Sequence, residues 1–152
     1  MEHVNHPKHY NSHPNGIECI DIIRYYVCDI ANAIKYLWRA GLKSEMGMED
    51  AEKESEDLKK AIFYIEDYTT NCSGETCADA ARPYMRSLVR MITGHSVKEI
   101  CEGYHSDIAK AIELLTMVGL IKANGIVRVY HWEQYLSSAA KCIQKRIADL
   151  EH

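Results

Sequence analysis

Apolar residues recur at intervals of three and four along the first half of the chain. This spacing predicts helices over about 17–26, 29–40 and 48–68. We expect Asp29 to cap the second of these helices and Gly41 to end it. The second helix has one continuous apolar stripe, which consists of Ile30, Ala33, Ile34, Leu37 and Trp38. The pattern therefore predicts a three-helix domain whose second helix lies against a core.

The second half of the chain begins with two helix signals. Pro83 is suited to the first turn of a helix that ends near Gly94. Ser96 and Glu99 have the spacing of a capping box, which predicts a further, short helix that ends at Gly103.

Further along, Ser106 is the expected N-cap of a helix that ends before Gly119. Asn124 and Gly125 separate the runs Leu120–Ala123 and Ile126–Tyr130, which resemble β-strands. An Asn-Gly pair in this position is typical of a β-hairpin because both residues tolerate positive φ. An apolar pattern over about 132–150 predicts a long terminal helix. The predicted fold is therefore mostly α, with a three-helix amino-terminal domain and a winged-helix-like carboxyl-terminal domain that contains one β-hairpin.

The charge balance of the chain changes near its middle. Residues 1–81 contain 8 Lys and Arg against 15 Asp and Glu, whereas residues 82–152 contain 10 against 7. Opposite charge balances suggest two modules with different roles. We therefore predict a helical domain over residues 1–70, a linker over 71–81 and a winged-helix-like domain over 82–152.

The composition is typical of a soluble globular protein, with 47% hydrophobic and 26% charged residues. No apolar run approaches the ~20 residues needed to cross a bilayer, and the first residues lack the order of a secretion signal. We expect a cytoplasmic protein without membrane contact, whose six cysteines are free thiols. Cys72 and Cys77 alone are closely spaced, which is too weak a pattern to predict a metal site.

Four separated blocks of the first half carry a resemblance to a known family. They are Val4–Tyr10, Gly16–Asp21, Asn32–Gly41 and Glu56–Tyr64. In these blocks and in their order, residues 4–68 resemble the phage SaV-like domain family, which is related to a phage nucleotide kinase. The resemblance implies a phage-encoded protein of the bacterial cytoplasm that binds nucleotides, with phosphorylation of nucleoside monophosphates as the activity of one branch. The acidic segment 45–54 and the whole second half depart from this family.

One of these blocks contains the main candidate for an anion site. Asn32, Lys35 and Arg39 are three and four residues apart, so they share one face of the predicted helix. An amide, a point charge and a forked donor projected together could bind a phosphate. The alternative is that the two cations pair with Glu18, Asp21 or the acidic third helix, because charged helix faces are usually solvated.

The polar arm over residues 1–15 supplies further candidates for nucleotide binding. They are His6, Lys8, His9 and Tyr10. Imidazole and ammonium groups can donate to phosphate, and a tyrosine ring can stack on a base, so the arm could close over a bound nucleotide. The alternative is a tail packed loosely on a neighbour. The spacing of the arm's histidines does not predict a metal site, because an extended arm does not fix ligand geometry.

The sequence does not identify a catalytic residue. Gly41-Leu42-Lys43-Ser44 resembles the end of a phosphate-binding loop, but the first glycine of that motif is missing and the segment follows a helix instead of a strand. A nucleoside monophosphate kinase would therefore lack the usual loop and depend on positioning and on Lys and Arg charge. Mg²⁺ would enter together with the nucleotide, and no other cofactor is indicated.

A second class of function stays open beside the kinase. A non-enzymatic phage accessory protein could sequester a nucleotide immune signal at the same basic site, as part of phage–host conflict. It could instead bind a host protein or DNA through the winged helix, with Lys110, Lys122 and Arg128 contacting phosphates. The few cations there favour dimerisation or a protein contact over DNA reading, and we expect a homo-oligomer. Tyrosines such as Tyr36 and Tyr64 are expected in the core and at interface rims.

Overall fold

The computed structural model describes residues 13–42, 48–71, 84–120 and 133–152. Within these ranges the chain is mostly helical. Its seven helices are α1 (Cys19–Ile23), α2 (Cys28–Leu42), α3 (Met48–Asn71), α4 (Met85–Thr93), α5 (Val97–Ile100), α6 (Ser106–Thr116) and α7 (Glu133–Leu150). None of these seven combines the length and the hydropathy that a membrane span requires.

Helices α2 and α3 form an antiparallel pair. Tyr36 of α2 stacks on Tyr64 of α3, and Arg39, further along α2, contacts Asp57, which lies earlier in α3. The apolar stripe predicted for α2 is confirmed. Its fully buried members are Ile30, Ala33, Ile34, Leu37 and Trp38. Because this stripe is buried in the core, only the opposite face of α2 can contact groups outside the core.

Both halves of the chain bury their apolar residues in one core. The second half contributes to it, among others, Ile108, Ile112, Leu115, Leu136, Ala139 and Ile143. Helix α7 packs against α6 and α3, and α6 also packs against α2. At the edge of the α3–α7 contact, Nε of Arg146 lies 2.8 Å from Oε2 of Glu54. Neither half therefore buries its apolar surface alone. Of the linker predicted over 71–81, all but residue 71 lies outside the described ranges, so the division into two domains stays a prediction.

Two helix signals in the second half are confirmed. Gly94 follows α4 in the left-handed region, with φ of 83°. At the start of α5, the Glu99 N–H donates to Oγ of Ser96 at 3.1 Å, and the Ser96 N–H donates to Oε1 of Glu99 at 2.9 Å. Local residues decide these helix ends because each cap satisfies backbone groups that the helix leaves unpaired.

The ends of α1 and α2 differ from the prediction. Helix α1 spans Cys19–Ile23 and is shorter than the predicted 17–26. Helix α2 begins at Cys28, so Asp29 belongs to its first turn and does not cap it. The helix also continues through Gly41 to Leu42. A glycine within a helix costs about 1 kcal/mol relative to alanine, which the burial of the α2 stripe offsets.

Two boundaries in the second half also need correction. Helix α5 ends at Ile100 and not at Gly103. The N-cap of α6 is His105, whose Nδ1 accepts a hydrogen bond from the Asp107 N–H at 3.1 Å, and Ser106 is the first helical residue. A histidine nitrogen thus replaces the side-chain oxygen that usually caps a helix, which residue preferences did not anticipate.

A winged-helix arrangement is not supported. The described residues contain no strand, although Tyr26 and Leu120 form an isolated antiparallel bridge. Helices α4, α5 and α6 have the predicted order, but α6 exposes only Ser106 and Lys110 and packs between α2 and α7. A recognition helix needs an exposed face to enter a groove of DNA. The hairpin predicted around Asn124-Gly125 lies outside the described residues.

Gly119 forms a tight junction between the end of α6 and the start of α2. Its φ is 79°, and its carbonyl accepts a hydrogen bond from the Val27 N–H at 2.8 Å. A Cβ at this position would lie 2.6 Å from Cγ1 of Ile30. Beside it, the Tyr26 hydroxyl donates to the Thr116 carbonyl at 2.6 Å. Both the backbone conformation and the close approach therefore require glycine.

Candidate functional site

Asn32, Lys35 and Arg39 lie on one half-buried face of α2, opposite the apolar stripe. Nδ2 of Asn32 donates to Sγ of Cys28, one helical turn earlier, at 3.6 Å. One helix thus presents the amide, the ammonium and the guanidinium, so their spacing is fixed by helix geometry and does not depend on a loop.

Arg39 has a structural partner on the neighbouring helix. Its Nε lies 3.2 Å from Oδ2 of Asp57, whose side chain is only 3% exposed. The two atoms form an ion pair without the geometry of a hydrogen bond. This contact matches the alternative interpretation of the sequence, in which cations of α2 pair with the acidic third helix. Because a buried carboxylate is costly without a counter-charge, Arg39 stabilises the α2–α3 pair.

Lys35 differs from Arg39 in its surroundings. Among the described residues, no carboxylate forms an ion pair with it. Its Nζ lies 5.5 Å from the centre of the Tyr36 ring. Burial raises the pKa of the Cys19 thiol to about 12, and the positive charge of Lys35 opposes that shift. Among the described acidic residues, none forms an ion pair with Lys35, which distinguishes it from Arg39.

Three aromatic rings and two lysines meet beside this face. The Tyr36 and Tyr64 rings are nearly parallel, with 10° between their planes and 5.9 Å between their centres. Nζ of Lys60 lies 5.4 Å from the centre of the Tyr36 ring. Phe63 stands at 84° to Tyr64, 5.2 Å away, and is 61% exposed. We call Lys35, Tyr36, Lys60, Phe63 and Tyr64 the aromatic–lysine cluster.

Sequence reasoning did not identify this cluster. It assigned Tyr36 and Tyr64 to the core or to interface rims, and it gave no role to Phe63. Their spacing does place Lys60, Phe63 and Tyr64 on one side of α3. That signal is insufficient without the register of the α2–α3 pair, which brings Lys35 and Tyr36 to the same place.

Two carboxyl groups meet where the start of α2 passes the end of α3. The carboxyl groups of Asp29 and Asp67 are neighbours. Burial raises the pKa of Asp29 to about 6, and a hydrogen bond with Asp67 and the charge of Asp67 add to this shift. The described residues contain no group of three or more His, Cys, Asp or Glu side chains that could hold a metal ion. The Mg²⁺ expected with a nucleotide therefore stays a prediction.

The amino-terminal arm enters the described structure at His13. This imidazole is buried, with its ring centre 5.1 Å from that of Trp38 and 5.9 Å from that of Tyr104. The Asn15 N–H donates to Nδ1 at 3.0 Å, so the proton resides on Nε2, which donates to the Ile100 carbonyl at 2.8 Å. Burial lowers the pKa of His13. A neutral ring therefore anchors the end of the arm.

The four candidate residues of the arm lie outside the described residues. They are His6, Lys8, His9 and Tyr10. His13, at the start of the described residues, packs on the ring of Trp38, which belongs to the buried stripe of α2 and not to the face of Asn32, Lys35 and Arg39. The predicted closure of the arm over a ligand lies outside the described residues and stays a prediction.

Lys110 is the one residue of the DNA hypothesis within the described ranges. Its Nζ lies 3.6 Å from Oε2 of Glu113, a carboxylate that also pairs with Arg86 of α4. Lys122 and Arg128 lie outside these ranges. The charge of Lys110 is partly neutralised by Glu113, which does not favour the binding of a phosphate backbone.

Two open grooves follow the contact of α3 with the last residues of the chain and with α7. One, of about 660 Å³, is lined by three glutamates together with Lys59 and His152, and Nζ of Lys59 lies 2.8 Å from Oε2 of Glu151. The other, of about 560 Å³, has Glu66 and Glu133 in its lining. Glutamates outnumber the basic side chains in both linings, which does not favour the binding of a phosphate.

Helix α2 and most of α3 lie within a region of the chain that matches a family model. Residues 4–66 match a family described as a protein of unknown function (DUF3310). No curated protein and no solved structure matches the chain. The match covers the region in which the four sequence blocks resemble the SaV-like family. It assigns no activity, and the relation to a phage nucleotide kinase stays a prediction.

Proposed function

We propose that the protein binds a nucleotide through its phosphate at Lys35, on the outer face of α2. The observation that carries this proposal is the setting of Lys35, which has no ion-pair partner among the described residues and lies beside stacked aromatic rings. The other two described candidate cations, Arg39 and Lys110, each face a carboxylate. Lys35 is therefore the cation best placed to attract a phosphate.

The neighbours of Lys35 have supporting roles in this proposal. Asn32 lies on the same face and offers an amide that orients the phosphate. Arg39 adds positive charge, because its side chain is 27% exposed, although Asp57 holds its Nε. From the arm, His6, Lys8, His9 and Tyr10 would close the site.

The proposal includes two functions for the bound nucleotide. In a phage nucleoside monophosphate kinase, the charge of Lys35 would stabilise the transferred phosphoryl group, with Mg²⁺ bound by the nucleotide. In a protein that sequesters a nucleotide immune signal, the same site would bind without turnover. The resemblance of residues 4–68 supports the first function, and an assay of phosphoryl transfer separates the two.

Isothermal titration with the nucleoside monophosphates, ATP and cyclic dinucleotides tests this proposal. We expect binding by the wild-type protein and a roughly tenfold loss of affinity for Lys35→Gln, since a charge-assisted hydrogen bond contributes about 1.5–3 kcal/mol. Lys141→Gln removes an exposed lysine from α7 and should leave the affinity unchanged. Folded wild-type protein that binds none of these compounds would contradict the proposal.

A further inference from the structure

Phe63 is exposed in a way that the fold does not require. It lies on α3, its side chain is 61% exposed, and its ring contacts Tyr64 edge to face at 5.2 Å. An exposed phenyl ring leaves apolar area in water, so a ligand that covers the ring gains the free energy of burying that area. Tyr64 contacts the Phe63 ring, and the exposed part of that ring can contact a ligand.

The surroundings of Phe63 combine flat rings with positive charge. From Phe63 the rings continue through Tyr64 to Tyr36, and two ammonium groups lie 5.5 and 5.4 Å from the Tyr36 ring centre. Lys60 is three residues from Phe63 on α3, a rise of about 4.5 Å along the helix. A planar ring and a phosphate-binding cation are thus one helical turn apart.

This combination fits a nucleotide better than it fits a protein partner. Protein interfaces are depleted in lysine at their centres, whereas lysines here stand within the aromatic group. Sites for single-stranded nucleic acids and for nucleotides combine positive charge for the phosphate with aromatic rings on which bases stack. Glu56 lies 3.8 Å from Lys60, but both side chains are about half exposed or more, so the pair is weak and a phosphate can compete for the lysine.

We propose that the aromatic–lysine cluster is the base-binding part of the nucleotide site, in which the base stacks on Phe63 and Lys60 assists Lys35 in binding the phosphate. This inference rests on the proposed function and extends the site from α2 onto α3. It predicts that affinity depends on the presence of a base and only weakly on its identity, because every base has a π face.

Ribose 5-phosphate, which has the phosphate and the sugar but no base, separates the two parts of the site. By isothermal titration, we expect wild-type protein to bind AMP, CMP, GMP and UMP about tenfold or more tightly than ribose 5-phosphate. Phe63→Ala should abolish most of that preference and leave the affinity for ribose 5-phosphate unchanged. Phe63→Trp should retain the preference. Lys35→Gln should weaken both kinds of ligand, and Lys60→Gln should do so to a smaller extent.

Tyr84→Ala is the matched control, because Tyr84 is a 65% exposed aromatic residue outside the cluster and its loss should change neither affinity. Circular dichroism verifies that each variant is folded. If the wild-type protein binds nucleotides and ribose 5-phosphate equally, or if Phe63→Ala keeps the preference, the base site is wrong while the phosphate site at Lys35 stands. If neither ligand binds, and ATP and cyclic dinucleotides also fail to bind, the proposed function itself is wrong.

Discussion

Asp29 and Asp67 form a contact between two groups that repel each other when both are ionised. Burial, together with a hydrogen bond to Asp67 that needs one proton on the pair, raises the pKa of Asp29 to about 6 from an ordinary value of 3.8. The sequence predicted an N-cap at Asp29, which is a local role. It could not predict the actual partner, because Asp67 is distant in sequence and is brought near only when α2 and α3 pair.

The raised pKa makes stability depend on pH in a defined direction. Protonated Asp29 favours the folded state, so this contribution is complete below pH 3.8 and is lost as the pH rises through about 6. Asp29→Asn supplies an amide that can donate to Asp67 at any pH. At pH 7.5 we expect it to stabilise the protein by about 1 kcal/mol, after allowance for solvent screening, and to raise Tm by about 2–4 °C.

Thermal unfolding followed by circular dichroism between pH 4 and pH 7.5 measures this effect. The gain from Asp29→Asn should shrink as the pH falls below 6. Asp149→Asn, at an exposed position of α7, should leave Tm unchanged. Equal Tm values for Asp29→Asn and wild type across this range would show that no proton is shared.

At the scale of the elements, helix ends separate into those set by nearby residues and those set by packing. The capping box of Ser96 and Glu99 and the helix end near Gly94 were predicted correctly, because the interactions involved span three or four residues. Gly41 was predicted to end α2, yet the helix passes through it. A local stop signal at Gly41 was therefore not sufficient to end a helix whose apolar stripe is buried.

Two glycines at helix ends provide a matched comparison of local and tertiary effects. Gly94 and Gly119 have φ of 83° and 79°, but a Cβ would meet nothing within 4 Å at Gly94, whereas at Gly119 it would lie 2.6 Å from Ile30. Either substitution to alanine forces a left-handed backbone conformation on a residue with a Cβ, and we expect Gly94→Ala to lower the free energy of unfolding by about 1–2 kcal/mol for this reason alone. Gly119→Ala should lower it by about 2 kcal/mol more, because the added Cβ also displaces α2.

Urea denaturation at equilibrium measures both values. The difference between the two variants isolates the close approach of Gly119 to α2, since the backbone cost is common to them. Equal losses for Gly94→Ala and Gly119→Ala would mean that Ile30 moves aside without cost, and that the junction is not tight.

At the scale of the whole molecule, the two halves share one core. Helix α7 packs against α3 of the first half and α6 of the second, and α6 reaches α2. The change in charge balance near residue 81 suggested two modules, but charge describes the surface and gives no information on which apolar faces meet. The shared core predicts that the described helices unfold together, because separating the halves would expose apolar faces of both.

Ile143→Ala tests this cooperativity. Ile143 of α7 is fully buried, so its truncation should cost about 2–5 kcal/mol. In a Trp132→Phe background, Trp38 of α2 is the one remaining tryptophan of the sequence and reports on the first half. We expect the Trp38 fluorescence and the circular dichroism to shift together to the same lower denaturant midpoint.

Gln144→Ala is the control, because this neighbouring position of α7 is exposed and should leave the midpoint unchanged. A Trp38 signal that stays at the wild-type midpoint while the helical signal moves would show that the halves unfold independently and that the two-module prediction is correct.

The sequence by itself determined the helical class, the approximate position of most helices, the buried stripe of α2 and the face that Asn32, Lys35 and Arg39 share. These features follow from interactions within one or two helical turns, which the order of residues encodes directly. Only the tertiary structure decided that Arg39 faces Asp57, that Lys35 and Lys60 flank one ring, and that Phe63 stays exposed beside them. Those contacts depend on the register between α2 and α3, which is set by the packing of two whole faces and not by any short segment.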